Sequence, residues 1–338
     1  MKRSPAAATL LVALAACCFG SIAILVTIAQ RAGAPLLTIL VWRYLLGAVA
    51  LVLLSGGIAA LGAARGRRAR LVASGGGGQA VIGFTSLLAL RWIPVATLVF
   101  LFYTYPSWIA LFAVLRRTER LDGTKIAALA LSLAGIALMV GAPSAKSLHP
   151  AGVALALGSA LIYALYVPFI GALSEGVPAR VASAFVALGA GLCFLAVGAV
   201  TAGVDALAPA VLSAATRETM TVTATMAPAA WAATAALAVV STALAFIFFL
   251  NGLAGIGAVR TGIVSTVEPF WASMLGAVVL HQRLGVETLL GGVAIALAVL
   301  LLQLRQGPVT TAPLDQSSSQ GKRPGATAIP IDDERPAP

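Results

Sequence analysis

The sequence predicts an all-α integral membrane protein of about ten transmembrane helices, built as two inverted five-helix repeats. Three observations carry that prediction. The chain of 338 residues is 60% hydrophobic and only 10% charged, where a soluble domain is nearer 45–50% apolar and about 25% charged. Its apolar residues gather in runs close to the roughly 20 residues that cross a bilayer as a helix. A proline–tryptophan pattern also recurs, as Tyr105-Pro106-Ser107-Trp108 and Glu268-Pro269-Phe270-Trp271, each time inside a long apolar run.

The runs fall at 8–29, 35–54, 72–90, 95–115, 125–141, 151–172, 181–203, 229–250, 258–280 and 285–304. They lack the alternation of barrel strands, and backbone groups cannot meet lipid unpaired, so each is read as a helix. In the first run, Leu14-Ala15-Ala16-Cys17 imitates a lipoprotein processing box behind Lys2 and Arg3. The stretch stays apolar through Ala29, too long for a signal-peptide core and long enough to span. Gly33-Ala34-Pro35 separates the first run from the second, and Arg65, Arg67, Arg68 and Arg70 lie before the third. Arg91-Trp92-Ile93-Pro94 precedes the fourth, and Arg116, Arg117, Arg120 and Lys125 bracket the start of the fifth. Ser183, Ala187 and Gly191 in the seventh recur every four residues, which places small side chains on one face and suits close helix contact. Asn251-Gly252 reads as the break after the eighth run.

The separation of the two prolines, 269 minus 106, is 163 positions. At the same separation Leu90 matches Leu253, Ile93 matches Ile256, Arg120 matches Arg283, Leu121 matches Leu284 and Leu138 matches Leu301. Duplication explains this, with a first repeat at 8–141 and a second at 151–304. Five helices per repeat is an odd number, so the second copy enters the membrane upside down. Placing both termini in the cytoplasm puts twelve basic residues on that side and five on the other, the bias that orients membrane proteins. The longest extracytoplasmic loop is then 204–228, rich in Thr and Ala. The segment 305–338, rich in Ser, Pro and charge, reads as a disordered cytoplasmic tail.

A formal net charge of +11 does not point to nucleic acid, because the arginines sit at the ends of apolar runs rather than on a soluble face. Cys17, Cys18 and Cys193 all lie inside apolar runs and offer neither a disulfide framework nor metal-ligand spacing. The glycine run from Gly75 to Gly78 lacks the following Lys-Ser or Lys-Thr of a phosphate loop. No Ser/His/Asp set, metal motif or cofactor motif appears, which argues against an enzyme. The implied partners are a small-molecule substrate and the lipid bilayer. The sequence leaves the oligomeric state open, a homodimer included. A non-transporting scaffold or receptor is the competing class, but such a protein has no need of an acid-bearing, proline-broken helix in a duplicated core.

Few ionisable residues fall within the spans, and an intramembrane charge needs a partner, a cavity or a role. Glu268, in the middle of the ninth run, is the strongest signal. Pro269 beside it removes an N–H and frees the carbonyl of Ser265, and Trp271 lies one turn on. Pro106 does the same to the carbonyl of Phe102 in the fourth run, so two kinked helices can line a central cavity with Tyr105, Trp108 and Trp271. Helical spacing puts Tyr103 on a different face, as packing. Arg43 lies eight residues into the second run, near 12 Å deep at roughly 1.5 Å per residue. It reads as a contact for an anionic group, a counter-ion for Glu268, or a structural ion-pair partner.

Three segments resemble the EamA-type members of the drug/metabolite transporter superfamily. They are Val41-Trp42-Arg43-Tyr44-Leu45-Leu46, the Pro106 helix with its following Glu119-Arg120-Leu121, and Val264-Ser265-Thr266-Val267-Glu268-Pro269. The resemblance covers about residues 8–304. It implies a bacterial inner-membrane carrier, commonly an exporter of metabolites or amino acids, using an ion gradient. One departure stands out. Members often carry an acid after the ninth helix, where this chain has His281-Gln282-Arg283-Leu284, so no role for that acid carries over.

Overall fold

Prolines and capping side chains set where the helices begin. In the computed structural model, which describes residues 4–141 and 148–304, the Ser4 hydroxyl accepts a bond from the Ala7 N–H at 3.2 Å, and Asp122 accepts from the Lys125 N–H at 2.8 Å. Both satisfy N–H groups that an opening turn leaves without partners. Pro35, Pro94 and Pro178 stand just before helices, and Pro150 and Pro228 open them, where a missing N–H costs nothing.

Ten apolar spans follow among the described residues. They are α1 (Pro5–Arg31), α2 (Leu36–Leu54), α3 (68–89), α4 (Val95–Leu115), α5 (Gly123–Val140), α6 (Pro150–Leu173), α7 (Ala179–Leu207), α8 (228–256), α9 (258–280) and α10 (Val286–Leu304). The expected break at Asn251-Gly252 is not there. The helix continues to Gly257, whose φ of 76° and ψ of 171° make the turn between α8 and α9. Asn251 satisfies its own amide by donating to the Ile247 carbonyl at 2.8 Å, and Gly252 is packed against the Ala8 carbonyl of α1. The expected tail from 305 lies outside the described residues.

The helix pairs reproduce the duplication. Spans α2 and α7 pack together, as do α5 and α10. Span α1 packs on α8 while α6 packs on α3. Exchanging each helix for the one five places on leaves this set unchanged, which is the relationship two inverted five-helix repeats require. The contacts are close because they are made of small residues. A β-carbon on Gly135 of α5 would stand 2.7 Å from the Gly291 carbonyl of α10, and one on Gly291 would stand 2.4 Å from the Gly135 carbonyl. The four-residue stripe on α7 works in the same way, with Ser183 and Ala187 fully buried and Gly191 against Leu45 of α2.

Each repeat also carries one π-helical turn at matching places, Gly75–Ala80 in α3 and Val239–Leu244 in α8. Arginines close two helix ends. Arg180 donates to the Leu54 carbonyl at 2.8 Å, and Arg67 to the carbonyls of Leu173 and Glu175, so both satisfy C-terminal carbonyls. Between α7 and α8 the chain forms a short helix, Ala214–Met220, and then lies along α2. There the Thr38 hydroxyl donates to the Thr221 carbonyl at 2.7 Å, and the Trp42 indole donates to the Thr223 carbonyl at 2.9 Å. An Asp205–Arg217 ion pair at 2.6 Å borders a cavity of about 390 Å³ under this strap.

Candidate functional site

The two proline-bearing helices are broken where the sequence marks them, but just ahead of the prolines. Span α4 consists of Val95–Phe102 and Tyr105–Leu115, so Pro106 sits in the first turn of the second piece. Span α9 breaks at Thr266, and Val267–Leu280 begins with Glu268 and Pro269 in its first turn. Threonine shapes both breaks. The Thr104 hydroxyl donates to the Leu101 carbonyl at 2.7 Å, and the Thr266 hydroxyl to the Ile263 carbonyl at 2.6 Å. Back-bonding of this kind competes with the helix ladder and bends the helix.

The broken helices cross at their prolines' neighbours. A β-carbon on Gly262 would lie 3.1 Å from the Ile109 side chain and 3.5 Å from Pro106, so glycine lets the two helices approach closely. Tyr105 is buried, with its hydroxyl 3.5 Å from the Gly262 carbonyl. Its ring meets Tyr163 of α6 edge to face at 4.7 Å, Phe102 at 5.5 Å and Tyr103 at 5.8 Å. Edge and tilted contacts of this kind are favoured by the charge distribution of aromatic rings.

This aromatic group faces Glu268. Tyr103, Tyr105, Tyr163 and the Arg43 guanidinium are near enough to the carboxyl to feel its charge. Glu268 lies deep in the bundle yet remains only half-buried. Its main chain is backed by α1, where a β-carbon on Gly20 would come within 2.7 Å of the Glu268 carbonyl. A carboxyl beside phenol donors and aromatic faces can exchange a proton and hold an apolar or cationic group.

The other expected site residues are placed as follows. Trp108 is half-buried, bonds the Thr104 hydroxyl through its indole N–H at 3.3 Å and packs on Phe112, and among the described residues it makes no ring contact with the tyrosines. Trp271 is 39% exposed and lies against Gly20 of α1, and among the described residues it makes no ring contact with the tyrosine group. Arg43 is 4% exposed and, among the described residues, has no carboxylate within ion-pair distance. Instead its Nε donates to the Thr242 hydroxyl at 2.9 Å and its Nη2 to the Ser241 carbonyl at 3.1 Å.

Tyr103 corrects the sequence reading, which placed it on a different face. That reading assumed an unbroken helix, and the break at 103–104 resets the phase, turning Tyr103 toward Glu268. Tyr163 escaped the sequence altogether, because only the packing of α6 on α4 brings it to Tyr105. Its one visible signal is the Tyr163–Tyr166 spacing inside an otherwise apolar span.

Comparison with known proteins agrees with this architecture. One solved structure, titled "Crystal structure of protein", superposes with a TM-score of 0.69 at 19% identity, covering 89% of this chain and 98% of that one. At that identity the likeness speaks to the fold. No curated protein matches the chain. The model of the EamA-like transporter family matches both halves, over residues 6–141 and 150–304, and the chain belongs to that family.

Proposed function

We propose that the chain is a secondary active transporter of a small metabolite, an amino acid or drug-like solute. It works as an exporter driven by a proton or other ion gradient, and sits in the bacterial inner membrane with both termini cytoplasmic. The solute binds between the repeats, near mid-membrane, and alternating access comes from rocking of one repeat against the other. The observation that carries this reading is Glu268, an acid at the broken turn of α9, deep in the bundle beside Tyr103, Tyr105 and Tyr163. A carboxyl in that position alternates between charged and neutral forms as the site opens to one side and then the other, which links solute movement to protons. Orientation is supported by the basic loops, two of whose arginines, Arg67 and Arg180, close helix ends on one side of the bundle. The exporter direction rests on the family resemblance.

The test is solute movement in proteoliposomes as a function of pH. Glu268→Gln is expected to abolish transport or to flatten its dependence over roughly pH 5–8, the span in which perturbed carboxyls titrate. A pH dependence identical to the parent protein's would remove Glu268 from coupling.

A further inference from the structure

The two π turns are related by the duplication but are held in opposite ways. In α3 the contact is backbone on backbone. A β-carbon on Gly75 would stand 2.0 Å from the Val186 carbonyl, and one on Gly189 of α7 would stand 1.9 Å from the Val72 carbonyl, so bare backbone meets bare backbone. In α8 the turn meets α2 through a charge. Arg43 donates to the Thr242 hydroxyl and the Ser241 carbonyl, and the Thr242 hydroxyl passes a bond of 3.2 Å to the Leu237 carbonyl. A π turn widens the helix and disturbs its regular ladder, which makes its carbonyls and hydroxyls available to an outside donor.

The chain of bonds goes further. The Ser241 hydroxyl is 2.8 Å from the Ser21 hydroxyl, which donates its own proton to the Cys18 carbonyl at 2.7 Å. Ser241 is therefore the donor in that pair. Ser21 is the residue at which α1 breaks, and Gly20 beside it backs directly on the main chain of Glu268. A continuous polar path thus runs from α2, through the π turn of α8, to the wall behind the acid.

We propose that Arg43 is a positioning residue, a tethered cation that clamps the π turn of α8 and, through Ser241 and Ser21, fixes the break of α1 behind Glu268. This rests on reading the space around Glu268 as the transport site. A buried charge at this depth is expensive unless dipoles surround it, and here they do. Two of its nitrogens are occupied and it is almost wholly enclosed, so it is not offered to a solute.

The clamp is testable without knowing the solute. Cys18 is half-buried beside the Ser21 bond, and in a background where Cys17 and Cys193 are alanine its maleimide labelling rate reports the α1 break. Arg43→Ala and Thr242→Ala are expected to raise that rate by roughly tenfold, the scale set by losing a buried bond to a charged group. Millimolar guanidinium chloride should return Arg43→Ala, but not Thr242→Ala, toward the parent rate. An unchanged rate in both variants overturns the proposal. Should the alanine variant not survive extraction, Arg43→Lys and Thr242→Ala decide, and no change in either overturns it. Where a transported solute is in hand, Arg43→Ala should lower maximal rate with KM held, and guanidinium should recover it. A raised KM with unchanged maximal rate would make Arg43 a solute contact and sink the clamp. If the parent protein moves no solute, the transport reading fails while the labelling result still judges the clamp.

Discussion

The Glu119 carboxylate stands 3.0 Å from the place a β-carbon would take on Gly257. It reaches there from the loop between α4 and α5, held by Lys125, whose ammonium lies 3.1 Å from Glu119 and 3.0 Å from the Arg120 carbonyl. Gly257 opens α9, so the carboxylate approaches the positive end of a helix that runs directly toward Glu268.

Gly257→Ala is expected to destabilise the protein on two counts. A φ of 76° with ψ of 171° belongs almost only to glycine, and forcing a side chain there costs about 1–3 kcal/mol. The new methyl would also press on Glu119. Thermal unfolding in detergent should show a lower midpoint, and an unchanged midpoint would mean that the turn relaxes freely.

The repeat-related place holds Gln282, which turns back on Gly276 of its own helix. One end of the bundle therefore has a charged latch and the other does not. Glu119→Gln should loosen the latched end by a modest amount, since partly exposed ion pairs contribute about 0–1 kcal/mol. Labelling of a cysteine that replaces the half-buried Ala258 in the first turn of α9 should quicken, and Gln282→Glu should leave that rate unaltered. Equal responses in the two variants would show that the latch has no side.

Tyr103→Phe removes the phenol facing Glu268 while keeping the ring. Losing a hydroxyl beside an ionisable group is expected to slow transport about tenfold. The fold should be unaffected, judged by an unaltered elution volume. A variant as fast as the parent would reduce Tyr103 to packing.

At the contact of α5 with α10, Gly291→Ala should cost about 1–3 kcal/mol by overpacking, because its methyl would meet backbone. Gly158→Ala, where a β-carbon meets nothing within 4 Å, is the matched control and should be neutral or better. Similar midpoints for both would contradict the close contact.

Much of this was legible in the residues, for identifiable reasons. Spans are written by hydropathy, and the duplication by the paired Pro106 and Pro269. Glu268 is readable because an acid in lipid has few excuses. The break at Gly257 was hidden behind Asn251, whose polarity looked like a loop but is spent within the helix. Tyr103 was misplaced by a helical wheel that cannot foresee the break at 103–104. The bonds of Arg43 were out of reach, since nothing in Ser241-Thr242 announces a π turn.

A widened turn carries a surplus residue that small adjustments cannot erase; it can only be handed along the helix. Each residue is worth about 100° of rotation. Moving the surplus one step in α8 would swing the side chains it passes to a new azimuth while leaving those on either side where they were. The α3 counterpart is wedged among main-chain atoms, so of these two turns the one in α8 is the freer to make such a screw adjustment, with a guanidinium for its detent.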